Sequence, residues 1–325
     1  PPFAADGSAA YFHSCNRGKS SVAIDLTTAE GQAQVRELAG GADILIENFK
    51  VGALAKYGLD HSSLKALNPR LIYCSITGFG QDGPYASRAG YDFIIQGMGG
   101  IMDLTGDPAG EPMKVGVAYA DLFTGLYAAS AILAALRGRD STGEGCHIDM
   151  ALLDTQVAVL ANQAMNYLVS GEPPRRLGNA HPNIAPYQTF AVADGHVIIG
   201  VGNDAQFRRL CALLGQPALG EEARFATNAD RVANREALAA ALAVLVAQRG
   251  REELLAALAV SGIPGGPIND VAQVFADPQV AARGMQIERG GVPAVASPIV
   301  IDGKRQVADR PSPKLGDVSS GNSAS

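Results

Sequence analysis

Asp121 is the residue of this 325-residue chain whose setting most suggests chemistry. It stands in GVAYADLFTGLYA (116–128) and is the only charged residue between Lys114 and Arg137. Two readings fit a lone carboxylate at the start of a helical run. It can cap the helix, accepting from the N–H groups of the next turn where the helix dipole favours its charge. It can also be a nucleophile toward an activated acyl group, with Gly116, Ala118, Ala120 and Gly125 leaving room for a substrate. The readings are compatible, because a carboxylate kept ionised at a helix start is also available for attack.

Other candidates are weaker. GFGQDG (78–83) matches G-x-G-x-x-G after a predicted strand. A dinucleotide loop needs its third glycine in the opening turns of a helix, whereas Pro84 and PYASRAG follow here without helical periodicity; a glycine turn is expected, and no NAD. No G-x-S-x-G nucleophile elbow is present. The four cysteines, Cys15, Cys74, Cys146 and Cys211, form no Cys-x-x-Cys pair and read as reduced thiols of a cytoplasmic protein. Cys146 and His147 cannot form a catalytic pair, since strand neighbours point to opposite faces. The scattered histidines have no metal-ligand spacing, so no metal is expected.

The elements around Asp121 alternate. SVAIDL (21–26), ADILIENF (42–49), LIYCSITGFG (71–80) and CHIDMAL (146–152) read as strands. TTAEGQAQVRELAGG (27–41) reads as a helix capped by Thr27 or Thr28, followed by short helices in VGALAKYGLD and HSSLKALN. Residues 91–106, 121–138 and 152–171 read as further helices, the last ending at Gly171. This pattern predicts an α/β fold whose parallel sheet binds ligands beyond the strands' carboxyl ends. A Pro/Asn/Gly-rich loop at 173–188 marks a domain boundary. A hairpin turning at Asp194-Gly195 and several Ala/Leu-rich helices follow, then a strand at 295–303 and a disordered tail, DVSSGNSAS.

A composition 47% hydrophobic and 18% charged is that of a globular chain, and the net charge of −6 provides no field for nucleic acid. Local basic residues, Arg17, Lys19, Lys50, Lys56, Lys65 and Arg70, suit a small polyanion or a solvated face. No uninterrupted apolar stretch reaches membrane-spanning length, and no signal-peptide pattern opens the chain.

Taken in order, NRGKSSVAIDLTTAEG (16–31), ADILIENFKVGAL (42–54), LNPRLIYCSITGFGQDGPYASRAGYDFIIQGMGG (67–100), GVAYADLFTGLYAASAILAAL (116–136) and GCHIDMALLDTQVA (145–158) resemble the family III CoA-transferases, the group of formyl-CoA transferase and the carnitine CoA-transferases. The resemblance implies that Asp121 attacks an acyl-CoA thioester, forming an aspartyl-acyl anhydride and then an aspartyl-CoA thioester. It implies CoA or acyl-CoA as substrate, bound by Ile24, Asp25, Leu26 and Thr27, by Asn48, Phe49 and Lys50, by Lys56, and by Ala89, Gly90, Tyr91 and Asp92. It also implies an interlocked homodimer with a Rossmann-like large domain (1–150), a long helix and linker (151–180), a small α+β domain (181–280) and a return to the large domain (281–325).

Three departures from the family pattern stand out. Asn48-Phe49-Lys50-Val51-Gly52 replaces Asn-Phe-Arg-Pro-Gly, keeping a charge but losing the bidentate fork. Against the family pattern an opening strand–helix–strand unit of roughly fifty residues is missing from a sheet of this type, so a truncated chain or a fragment is expected. Gly90-Tyr91-Asp92 stands where the related α-methylacyl-CoA racemases carry Gly-His-Asp. Tyrosine, with an ordinary pKa near ~10, is a poor base at neutral pH, which favours transfer over racemisation; the intact Asp121 motif argues against the other alternative, acyl-CoA binding without catalysis. The loop GNAHPNIAPYQTF (178–190) replaces a glycine run and offers His181, Asn183, Tyr187 and Gln188 to the substrate. It resembles transferases acting on succinyl-CoA and short dicarboxylates; Arg175 and Arg176 nearby suit either a distal carboxylate of such a substrate or a solvated linker.

Overall fold

A computed structural model describes residues 2–4 and 6–317. In chain order it contains α1 (Ala10–Asn16), α2 (Ala29–Gly41), β1 (Ile44–Glu47), α3 (His61–Leu67), β2 (Ile72–Thr77), α4 (Asp92–Met98), α5 (Ile101–Leu104), α6 (Tyr119–Thr142), β3 (His147–Ala151), α7 (Leu152–Ala158) and α8 (Ala161–Ser170). There follow β4 (Tyr187–Val192), β5 (Gly195–Gly200), α9 (Asp204–Leu213), α10 (Asn228–Ala233), α11 (Arg235–Val246), α12 (Arg251–Val260) and β6 (Gly265–Pro267). The last elements are α13 (Val271–Ala276), α14 (Pro278–Ala282), β7 (Gln286–Arg289), β8 (Val292–Val295), β9 (Val300–Ile301) and β10 (Lys304–Arg305). The chain divides into two units, one running from Ala39 to Ile268, the other made of the segments up to Leu38 and from Asn269 onward.

The larger unit is α/β. Its parallel sheet has the order β1-β2-β3, with Ile44 opposite Ile72 and Cys74 opposite Ile148. The central strand, IYCSIT, is buried almost throughout, as a parallel strand covered on both faces must be. Ile72 and Cys74 turn toward Ala128 and Ile132 of α6. Burial pushes the Cys74 thiol up to about 11, so this cysteine is packing rather than chemistry. The opposite face carries Tyr73, whose hydroxyl donates to the Leu59 carbonyl at 3.0 Å.

Helix α6 lies on the sheet along Ala120, Thr124, Ala128 and Ile132, one residue per turn. Its far end is held by Arg139, which donates to the Arg70 carbonyl at 3.0 Å and to the Asp43 carboxylate at 2.7 Å. Leu122, Leu126, Tyr127 and Leu133 face outward. By length and composition α6 is apolar enough to cross a membrane, which a search for uninterrupted apolar runs misses because Asp121, Thr124 and Ser130 interrupt it. Its contact with β2 and β3 makes it instead a sheet-packed helix with one uncovered face.

The same unit holds an antiparallel sheet, β4-β5-β6. Phe190, Val197, Ile199, Phe207, Leu210, Leu242 and Leu258 form its core with the surrounding helices. Arg231 is fully buried there. It donates to the carbonyls of Ala185 at 2.7 Å and Phe225 at 3.0 Å and pairs with Asp204 at 2.8 Å.

Three sequence expectations differ from the structure. Residues 21–26 form no strand. The Asp25 carboxylate accepts from the Thr27 N–H and hydroxyl, and Thr28 caps α2 by accepting from Gly31 N–H at 3.0 Å. A strand needs a neighbour to take its hydrogen bonds, whereas this turn is satisfied locally. The helix expected over 152–171 is interrupted after Ala158 and resumes at Ala161, whose φ is 48°; nothing in its side chains explains the break. The strand expected over 295–303 is reduced to β9, since Pro298 has no N–H for a ladder. The tail residues 318–325 lie outside the described residues.

Arg231→Met would leave several carbonyls and Asp204 without their donor. It should destabilise the protein by about 3 kcal/mol, as breaking a buried pair does, read as a lowered urea midpoint. A loss below about 1 kcal/mol would show that these groups find other partners.

Candidate functional site

Parallel strands present their carboxyl ends on one side, and two of the sequence-predicted segments start there. After β1, the Asn48 amide donates to the Ile76 carbonyl at 2.5 Å, and Phe49 N–H donates to Glu47 at 2.7 Å. Phe49 and Lys50 are exposed. Lys56, also exposed, lies 4.6 Å above the Tyr57 ring. Lys50 lines a cavity of about 350 Å³ with Glu47, Asp60, His61, Ser75 and His147. The His61 and His147 rings stack at 4.7 Å, and Ser75 Oγ lies 2.9 Å from His147 Nε2. Burial, aided by the charge of His147, pushes the His61 imidazole pKa down. Sequence reading missed this group because its members are far apart in the chain.

After β2, GFGQDG forms bends and turns, and no helix begins before Asp92. This is the turn expected rather than a phosphate loop. Gly78 and Gly90 meet backbone to backbone: a Cβ on either would lie 2.5 Å from the other's Cα. That contact sets Ala89, Gly90, Tyr91 and Asp92 against the end of β2. Arg88, also missed from the sequence, lies over the rings of Tyr85 at 4.5 Å and Phe79 at 5.3 Å.

Asp92 opens α4 and reaches the start of α6. Its Oδ1 accepts from Ala120 N–H at 2.8 Å and Asp121 N–H at 3.3 Å, and its Oδ2 accepts from the Gln96 amide at 2.7 Å. The cap of the helix is therefore Asp92, not Asp121. Asp121 lies in the first turn of α6, exposed, and its carboxylate accepts no hydrogen bond among the described residues. A helix start ordinarily lowers a carboxyl pKa. Here the protein around the group desolvates it, the Asp92 charge adds to that, and the Asp121 pKa is raised.

The loop 178–190 is fastened rather than free. Arg235 donates to the carbonyls of His181 at 3.1 Å and Pro182 at 2.6 Å. The His181 ring meets Tyr187 edge-on at 5.4 Å, and the Asn183 carbonyl accepts from Asn228 at 2.9 Å. Gln188 lines a cavity of about 790 Å³ with Arg175, Arg176, Asp103 and Arg235. Arg176 is occupied by the carbonyls of Asp107, Asp103 and Gly110, while Arg175 is exposed. Ile24, Asp25, Leu26 and Thr27 belong to the other unit, where they form the turn into α2.

Comparison with known proteins matches residues 1–318 to the model of CoA-transferase family III. A succinate–glutarate CoA-transferase of Agrobacterium fabrum is 55% identical over 98% of this chain and 82% of its own. The human succinyl-CoA:glutarate CoA-transferase is 40% identical over 97% of this chain and 73% of its own. The crystal structure of a CAIB/BAIF family protein from Brucella suis superposes with a TM-score of 0.86 at 61% identity, covering 98% of this chain and 85% of that one.

The raised Asp121 pKa has a consequence for stability. The folded chain holds this proton more tightly than the unfolded chain, so the stability this group contributes is fully present below the ordinary carboxyl range. It falls as pH rises through the raised value. Asp121→Asn removes that loss, so it should melt above the parent near neutral pH, with the difference shrinking toward about pH 4. Melting temperatures at both pH values check this, and a difference that stays constant with pH would contradict it.

Proposed function

The chain belongs to CoA-transferase family III, and we propose that it carries CoA from succinyl-CoA to a short dicarboxylic acid, glutarate foremost, with Asp121 as nucleophile. The observation behind this reading is the Asp121 carboxylate, exposed and accepting no hydrogen bond among the described residues, at a helix start whose N–H groups are already taken by Asp92. Such a group need not break a hydrogen bond before it attacks.

The carboxylate adds to the thioester carbon of the donor, and CoA leaves as its thiolate. The product is a mixed anhydride between Asp121 and the succinyl group. The thiolate then attacks the aspartyl carbonyl, releasing succinate and leaving CoA as a thioester on Asp121. The acceptor carboxylate attacks that thioester in turn, forming a second anhydride. The thiolate returns to the acceptor's acyl carbon and frees Asp121. One carboxylate replaces another at similar acyl energy, so no ATP is needed and each step is nearly reversible. Backbone N–H groups in the glycine-rich segments are the assigned partners of the tetrahedral oxyanions.

CoA is assigned to Ile24–Thr27, Asn48–Lys50, Lys56 and Ala89–Tyr91, and the acceptor to the loop bearing His181, Asn183, Tyr187 and Gln188. Tyr91 occupies the position where racemisation would call for a histidine, which makes transfer the better reading. The outward face of α6, with Leu122, Leu126 and Leu133 more than half exposed, is assigned to a second copy of the chain. The cytoplasm, where unpaired cysteines persist, is the assigned compartment.

Intact-protein mass after brief mixing with succinyl-CoA tests the chemistry. The parent should gain an acyl-sized or CoA-sized adduct and transfer CoA to glutarate, and Asp121→Asn should do neither. An adduct retained by the variant would remove Asp121 from the nucleophile role. Light scattering in solution should give twice the 33.6 kDa chain mass; a monomer with α6 solvent-exposed would contradict the assigned interface.

A further inference from the structure

We infer that Asp92 is a positioning residue for the reaction: reaching from α4 and locked by Gln96, its carboxylate caps α6 and thereby aims Asp121 at the thioester. The inference rests on the reading of Asp121 as nucleophile and adds how that nucleophile is held. It assigns Asp92 a task different from contacting CoA.

The geometry is that of a clamp. One oxygen of Asp92 takes the N–H groups of Ala120 and Asp121, so it grips the backbone of the nucleophile itself. The other oxygen is held by Gln96, which is fully buried. The Gln96 amide also donates to the Val117 carbonyl at 3.2 Å, and its own oxygen accepts from Val115 N–H at 2.9 Å. One side chain therefore fixes both the capping carboxylate and the strand of chain that leads into α6. The amide cannot rotate to exchange its ends, because that would set an NH₂ against Val115 N–H and an oxygen against both the Asp92 carboxylate and the Val117 carbonyl. Below this start, Thr124 donates to the Ala120 carbonyl at 2.7 Å, tying the first turn to the next.

The two carboxylates are also made unequal. Asp92 accepts from Ala120 N–H, Asp121 N–H and the Gln96 amide. Asp121 has none of those partners and feels the Asp92 charge. The elements packed against α6 near its start also bear Asp149 on β3 and Asp154 on α7. Asp92 is the one charge that raises the Asp121 pKa. The surroundings give the two carboxyls different tasks: Asp92 is the acceptor that holds the helix start, and Asp121, its pKa raised by burial first and the Asp92 charge second, is the more basic group left free to attack.

The test measures adduct formation from succinyl-CoA by rapid quench and intact mass, across pH, for the parent, Asp92→Asn, Asp92→Ala, Gln96→Met and Asp121→Asn. Asp92→Asn keeps an oxygen for the two N–H groups but removes the charge and puts an NH₂ against Gln96. Its rate should fall roughly tenfold and its acid limb should move to lower pH. Asp92→Ala removes the clamp and should cost roughly 10²-fold, the scale of a misplaced reacting group. Gln96→Met loosens the carboxylate without removing its charge, so its rate should fall while its acid limb stays. The KM for succinyl-CoA should change little in all three. A role confined to stability would lower melting temperatures without moving the acid limb. Parent-like adduct rates in Asp92→Asn and Gln96→Met would overturn the inference while leaving Asp121 as nucleophile. A raised KM alone would make Asp92 a CoA contact instead. An adduct in Asp121→Asn would overturn the nucleophile reading itself, and the positioning role with it.

Discussion

A carboxylate that caps a helix it does not belong to is the interaction on which the candidate site depends. A helix start leaves its first N–H groups without intrahelical partners, and the usual remedy is a side chain at the cap position. Here Ala118 occupies that position and offers nothing. Asp92 comes from another helix to satisfy the need, so the first turn of α6 is stable only where α4 is in place. Tertiary structure thus does what local sequence ordinarily does, and Asp121 is spared the capping role that its position would suggest.

This arrangement explains what could and could not be read in the amino-acid order. The strands around IYCSIT and ILIE, and the helix through ADLFTGLYAASAILAAL, are visible because their composition matches burial on a sheet. Asp121 stands out by its isolation among small apolar residues. Its freedom from capping is not visible, since Asp92 lies 29 positions away in the chain. Nor is the absence of a strand at SVAIDL: those residues have strand character, but strand formation depends on a partner that local sequence does not specify. Long-range positions such as Arg231 and Arg235 look like ordinary helix arginines until their carbonyl partners are seen.

The arginines also change the character of the loop that carries His181 and Asn183. A Pro- and Asn-rich segment invites description as a flexible cover. Its carbonyls instead feed guanidinium groups of α10 and α11. Buried acceptors must be paired, and here the pairing converts a loop into a fixed wall. Arg176 likewise serves main-chain carbonyls, so proximity of an arginine to a cavity is not a sufficient sign of substrate contact.

The backbone contact between Gly78 and Gly90 bears on how variable this region can become. The excursion from Phe79 to Ala89 leaves and returns at nearly the same point, and Phe79, Tyr85 and Arg88 pack against one another inside it. It has the form of a closed surface loop filled by its own side chains. When a loop's ends are fixed, doubling its length costs only about 0.6 kcal/mol of closure entropy. Insertions, deletions and new side chains can therefore accumulate along 80–88 while Asp92 keeps its place, giving the protein a surface free to diverge beside a helix start that is not.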